Sequence, residues 1–132
     1  MKVVIHSDGG ARGNPGPAGI GAVIEFLETQ KIIEVSEKIG ETTNNVAEYK
    51  AILKALQVAL ANGASEAECF LDSELVVRQL NGEYRIKDPK LAYLANEIIK
   101  EKKNYAAVSF TSIAREQNKK ADKLVNKALD QA

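Results

Sequence analysis

The sequence predicts an α/β fold, built as one domain over residues 1–132, and three observations predict it. Apolar runs of strand length alternate with longer segments whose apolar residues recur at helical spacing. Two of the strand-like runs end in an acid followed by small residues, Asp8 before Gly9-Gly10 and Asp72 before Ser73, a pattern expected where strands of an α/β sheet meet a ligand crevice. A chain of 132 residues with 45% hydrophobic residues can bury one sizeable core and is too short for two ordinary ones.

Composition narrows the partners. Lys plus Arg and Asp plus Glu both number 18, so a polyanion has to be held by a local basic patch or by metal ions rather than by net charge. The single Cys69 excludes an internal disulfide, and the three apolar residues after Lys2 are too few for a signal-peptide core. A cytoplasmic protein is the expectation. No apolar run approaches the ~20 residues of a membrane span, so no membrane partner is expected.

Lys2 to Asp8 reads as a buried strand whose last residue is a carboxylate. A carboxylate leaving a core must meet water, a donor or a metal, and Gly9 and Gly10 leave room for a bulky ligand beside it. A simple Asp-Gly turn is the alternative. Ile20 to Phe26 and Lys31 to Ile39 form a hairpin across Glu28-Thr29-Gln30, giving three antiparallel strands. Gly19-Ile20-Gly21 lacks the third glycine of a dinucleotide fingerprint, and no Gly-Lys-Ser/Thr follows for a P-loop.

Thr42 to Asn45 supply capping side chains for a helix with apolar residues at Val46, Tyr49, Ile52, Leu53, Leu56, Ala59 and Leu60, stopped by Asn62-Gly63. Glu48 lies about a quarter turn from that stripe, in the first turn, where the helix dipole alone would also favour an acid. Ala67 to Leu71 is a further buried strand. Asp72 follows it and could share a crevice with Asp8 if the two strands are parallel neighbours, or could merely cap the short helix Leu75 to Leu80. A polar connection, Asn81 to Asp88, leads to a helix opened by Pro89 and running to Lys103. Its lysines, with Arg85, Lys87 and Lys90, read as a solvated face. Ala106 to Ile113 is the fifth strand. The last helix runs from Gln117 with Ala121, Leu124, Val125, Ala128 and Leu129 inward, Asp122 a quarter turn off the stripe and Lys119, Lys120, Lys123 and Lys127 outward.

Four segments, SDGGARGNPGPAGIG, TTNNVAEYKAILKAL, FLDSELVVRQL and AREQNKKADKLVNKAL, in this order and spacing, resemble ribonuclease H of type 1 over essentially the whole chain. The resemblance implies the ribonuclease H-like fold, a five-stranded mixed sheet of order 3-2-1-4-5 with helices on both faces. It implies a metal-dependent endonuclease that hydrolyses the RNA strand of RNA/DNA hybrids and leaves 5′-phosphate and 3′-hydroxyl ends. The family's acidic ligands fall on Asp8, Glu48, Asp72 and Asp122, which would hold two Mg²⁺ ions, with Mn²⁺ a possible substitute. By the same resemblance Asp8 bridges the ions, Asp122 serves the nucleophile side, and Glu48 and Asp72 serve the leaving-group side. The chemistry suits these residue types, because two divalent ions can activate a water and stabilise an in-line displacement on an anionic phosphate.

Gly10, Arg12, Asn14, Asn44, Asn45, Ser73 and Gln79 would line the substrate groove, where contacts to the RNA 2′-hydroxyl distinguish a hybrid from DNA. Bacterial members carry a loop histidine before the last Asp. Here the stretch is Ala114-Arg115-Glu116-Gln117, which makes Arg115 a phosphate contact, while the only histidine, His6, is read as packed core on the Asp8 side of its strand. The chain resembles short members without a basic, Trp-bearing protrusion, so weaker hybrid affinity is expected. A monomer is expected. A noncatalytic hybrid- or double-stranded-RNA-binding module, or a nuclease that also cuts double-stranded RNA, is the alternative.

Overall fold

Alternation along the first strand organises the sheet. In the computed structural model, which describes residues 1–131, β1 (Lys2–Ala11) buries Val3, Ile5, Ser7 and Gly9 and leaves the residues between them only partly covered, the period-2 pattern of a pleated strand. β2 (Gly16–Phe26) pairs antiparallel with β1, and β3 (Ile32–Thr42) antiparallel with β2. β4 (Glu66–Leu71) lies parallel to β1 on its other side, and β5 (Ala107–Ser112) parallel to β4, so the order is β3-β2-β1-β4-β5. This is the sheet that the family resemblance implies.

Helices cover both faces. α1 (Asn44–Ala61) packs on β1 and β2 with α3 (Pro89–Lys102) against its back, and α4 (Lys119–Asp130) packs on β1, β2 and β3. Consecutive residues of β1 identify the two faces, since Gly9 abuts Ala47 of α1 while Gly10 points toward Val125 of α4. A short α2 (Glu74–Leu80) lies against β5. The main core is on the α1 side, where Ile5, Ile24, Phe26, Tyr49, Ile52, Leu56, Cys69 and Ile98 are essentially inaccessible to solvent. No helix among the described residues is long and apolar enough to cross a membrane.

Several boundaries differ from the sequence expectation for identifiable reasons. β1 does not stop at Asp8, because Gly9, Gly10 and Ala11 continue to pair with Ile20, Gly19 and Ala18. The Gly- and Pro-rich loop thus shrinks to the few residues between Ala11 and Gly16. Thr43, rather than the asparagines, caps α1 by accepting the Val46 N–H at 3.3 Å, which leaves Glu48 beyond the first turn. Gln117 lies not in the last helix but in a 3₁₀ turn, Arg115–Gln117, that Asn118 separates from α4. The basic residues of and before α3 are exposed as expected, with the Lys102 ammonium additionally over the Phe110 ring at 5.7 Å.

Candidate functional site

Two strand ends and two close helix approaches bring the acids together. Parallel pairing of β1 with β4 ends at His6 opposite Phe70, so Asp8 and Asp72, each two residues further on, stand level beyond the last rung. Gly9 then admits helix α1. A Cβ at this position would lie 2.3 Å from the backbone carbonyl of Ala47, and the next residue along that helix is Glu48. Gly21, which pairs with Asp8, admits α4 on the opposite face in the same way. Its Cβ would lie 2.4 Å from the Ala121 carbonyl oxygen, and the next residue is Asp122. Asp8, Glu48, Asp72 and Asp122 line one crevice of about 270 Å³.

The crevice is electrostatically strained as it stands. Burial, then the Asp72 and Asp122 carboxylates and lastly Glu48, push the Asp8 carboxyl up to about 8. Burial pushes Glu48 up to about 7, with Asp72 adding to the rise and the Ser73 hydroxyl and Arg115 opposing it. The Glu48 Oε2 atom is buried with no hydrogen-bond partner, an acceptor in want of a cation or a donor. Among the described residues no three His, Cys, Asp or Glu side chains are already gathered as a ready-made metal cage. Acids that repel one another around an orphaned carboxylate oxygen fit a divalent cation, which supplies the missing countercharge.

The raised acids set the sign of a pH effect. The folded protein keeps protons on Asp8 and Glu48 that the unfolded chain loses near pH 4, so their contribution to stability is intact below about pH 4 and lost as pH climbs through 7 and 8. His6, whose pKa burial lowers, works oppositely, losing stability as pH falls through its unfolded value. The melting temperature of chelator-treated protein is therefore expected to decline from pH 6.5 to 8.5, and Mg²⁺ to restore it most at the upper end. Differential scanning calorimetry across this range tests the point. An upward slope without metal would show that the acids are not under strain.

Of the other residues expected in the groove, Gly10, Arg12, Asn44 and Arg115 line the same crevice. Asn44 secures its rim: its Oδ1 accepts the Ala11 N–H at 2.8 Å, and its own N–H donates to Asn14 Oδ1 at 3.1 Å. Ser73 borders a small adjoining cleft with Asp8, Glu48 and Asp72, and also caps α2 through the Val76 N–H. Asn45 and Gln79 are not brought to the crevice. Asn45 is half-buried at the start of α1, and Gln79 is turned to α1, where its Oε1 accepts from the Tyr49 hydroxyl at 2.5 Å. Arg12 is ion-paired to Asp130 at 2.6 Å.

His6 departs from the expected core packing. It is only partly covered, stacks on Phe70 with centroids 5.3 Å apart, and lines a separate cavity beside the start of α4. The acidic crevice has further lining residues that sequence reasoning missed, Val125 and Asn126 among them. Asn126 Nδ2 reaches Asp122 Oδ2 at 3.4 Å, a contact readable from their i, i+4 spacing. Asn118 was missed as well. It is buried, and its Nδ2 donates to both the Ser7 carbonyl and Asp72 Oδ2 at 2.9 Å.

Comparison with known proteins gives a consistent picture. A family profile described as reverse transcriptase-like matches residues 6–128. The "Bifunctional protein Rv2228c" of Mycobacterium tuberculosis is 41% identical over the whole of this chain, which spans 36% of that protein, about a third of its length. RNase H1 from the halophilic archaeon Halobacterium salinarum superposes with a TM-score of 0.95 at 38% identity, each chain covered in full. LC11-RNase H1, solved in complex with an RNA/DNA hybrid, superposes with a TM-score of 0.90 at 46% identity, over 97% of this chain and 96% of that one.

Proposed function

This chain belongs to the type 1 ribonuclease H family, and from that premise we propose that it is a metal-dependent endoribonuclease cutting the RNA strand of RNA/DNA hybrids to 5′-phosphate and 3′-hydroxyl ends. The observation that carries the reading is the convergence of Asp8, Glu48, Asp72 and Asp122 on one crevice, with the Glu48 Oε2 atom buried and unpartnered. These four side chains would hold two divalent ions, Mg²⁺ or Mn²⁺, and when bound the ions supply water activation and charge stabilisation at the phosphorus.

The chain's own residues do the rest. The four carboxylates balance the ions' charge and, as pH falls and Asp8 and Glu48 take up protons, lose their hold on them. Arg115, on the 3₁₀ turn at the rim, offers a guanidinium to a phosphate of the cleaved strand. The shallow floor at Gly10 and the Asn14-Asn44 pair suit a minor groove read through 2′-hydroxyl and backbone groups. Sequence preference should be slight. The hybrid-bound LC11 relative supports this substrate class. A monomer acting in the cytoplasm completes the proposal, and Cys69 is compatible with that setting, being a lone thiol that burial pushes up to about 12.

Cleavage of end-labelled RNA/DNA, RNA/RNA and DNA/DNA duplexes, each with Mg²⁺, with Mn²⁺ and with chelator, tests the proposal. The expected result is metal-dependent loss of the hybrid's RNA strand alone. Equal cutting of the RNA duplex would overturn the hybrid specificity, and binding without cutting would make the chain a recognition module.

A further inference from the structure

We infer that Asn118 is a positioning residue for the carboxylate cluster, its side chain holding Asp72 in fixed relation to Asp8. The inference rests on the metal-binding reading of the crevice. Three bonds meet at this one residue. Its Nδ2 donates to the carbonyl of Ser7, the residue before Asp8, and to Asp72 Oδ2, both at 2.9 Å, while its backbone carbonyl accepts the Asp122 N–H at 3.1 Å. The side chain thereby ties the carboxyl ends of β1 and β4 to each other, and the backbone carbonyl of the same residue joins them to the first turn of α4.

The arrangement is not the one that local stability favours. Asn118 occupies the cap position of α4, where an asparagine ordinarily turns its oxygen to the first free N–H groups, yet it makes no side-chain cap bond. Its Oδ1 is left buried without a partner. Reversing the amide cannot relieve this, because Oδ1 would then face the Ser7 carbonyl and the Asp72 carboxylate, both acceptors. A residue that forgoes a cap and leaves an acceptor unsatisfied in order to grip a carboxylate serves the site rather than the helix. By occupying Asp72 Oδ2, the amide fixes the rotation of that carboxylate, and ligands oriented in this way bind metal more tightly.

Calorimetric titration of Mn²⁺ in the absence of nucleic acid, on protein checked by circular dichroism and thermal melting, separates this role from a merely structural one. Asn118→Ala and the more volume-conserving Asn118→Leu are expected to bind Mn²⁺ about tenfold more weakly while folded. Asp72→Asn should also weaken binding, and the Asn118→Ala/Asp72→Asn double variant should be no weaker than Asp72→Asn. Undiminished binding by the folded Asn118 variants, or a further loss in the double variant, would overturn the inference and leave the metal reading standing. Absence of binding in the unaltered protein would instead overturn the metal reading. Should the Asn118 variants unfold, nuclear magnetic resonance of the unaltered protein decides. The Asn118 side-chain amide protons are expected to shift on Mg²⁺ addition and to stay fixed in Asp72→Asn, and an unshifted amide in the unaltered protein would refute the role.

Discussion

Asp8→Asn is expected to lower the rate of hybrid cleavage by at least about a thousandfold, roughly 4 kcal/mol of transition-state stabilisation, while leaving the fold intact. The two halves of this expectation have one cause. Without metal the Asp8 carboxyl titrates near 8, so at neutral pH it is mostly in the neutral form that asparagine imitates in shape. Folding therefore loses little, and above pH 8 the chelator-treated variant should melt at or above the temperature of the unaltered protein, because a buried charge is gone. Catalysis loses far more. The substituted side chain can no longer be an anion, and it stands between Asp72, Glu48 and Asp122, all of which shape its electrostatics. Single-turnover cleavage with saturating Mg²⁺, alongside circular dichroism and melting at pH 6 and pH 8.5, measures both halves. Retention of more than a tenth of the activity would remove Asp8 from the chemistry, and collapse of the fold would make it a structural residue.

The parts of the molecule governed by periodicity were readable from the sequence. The stripe beginning at Val46 does form α1, and the acids Asp8 and Asp72 do leave the sheet where two parallel strands end. What periodicity cannot show is how far a strand pairs once its apolar residues run out, and for this reason β1 continues past Asp8 through Gly9 and Gly10 on backbone hydrogen bonds alone. Competition among capping side chains was likewise hidden: with Thr43, Asn44 and Asn45 in a row, tertiary bonds draw Asn44 to Ala11 and leave the cap to Thr43. Asn118 lay beyond local reasoning altogether. Its partners are Ser7 and Asp72, far away in sequence, and nothing in a polar residue between two helical patterns points to them. Gln79 was hidden in the same way, since its Oε1 accepts from Tyr49 of the packed α1, a partner 30 residues away.

Gly9→Ala is expected to be among the most destabilising single-methyl changes in the chain, and Gly10→Ala among the mildest for stability, although the two residues are adjacent and the sequence suggests room for a ligand at both. The structure separates them. A Cβ on Gly9 would fall 2.3 Å from the carbon and oxygen of the Ala47 carbonyl and 2.6 Å from the Glu48 nitrogen, all of them backbone atoms that cannot rotate away. Helix α1 would have to lift off β1, opening the core where the fully buried Tyr49 and Ile52 lie within two turns of the clash. Overpacking of this kind costs about 3 kcal/mol or more when no flexible neighbour can yield. The same movement carries Glu48 away from Asp8, so Mn²⁺ binding and cleavage should fall further than the loss of folded protein explains. On Gly10 a Cβ would find its nearest atoms at 3.8 Å on Val125 and 3.9 Å on Asn44, ordinary contact with both, and stability should change by no more than about 0.5 kcal/mol. Urea denaturation of both variants, with cleavage measured well below the midpoint, tests the pair. Equal stability of the two would mean that α1 does not rest on Gly9, and with that the placement of Glu48 in the crevice would lose its structural cause.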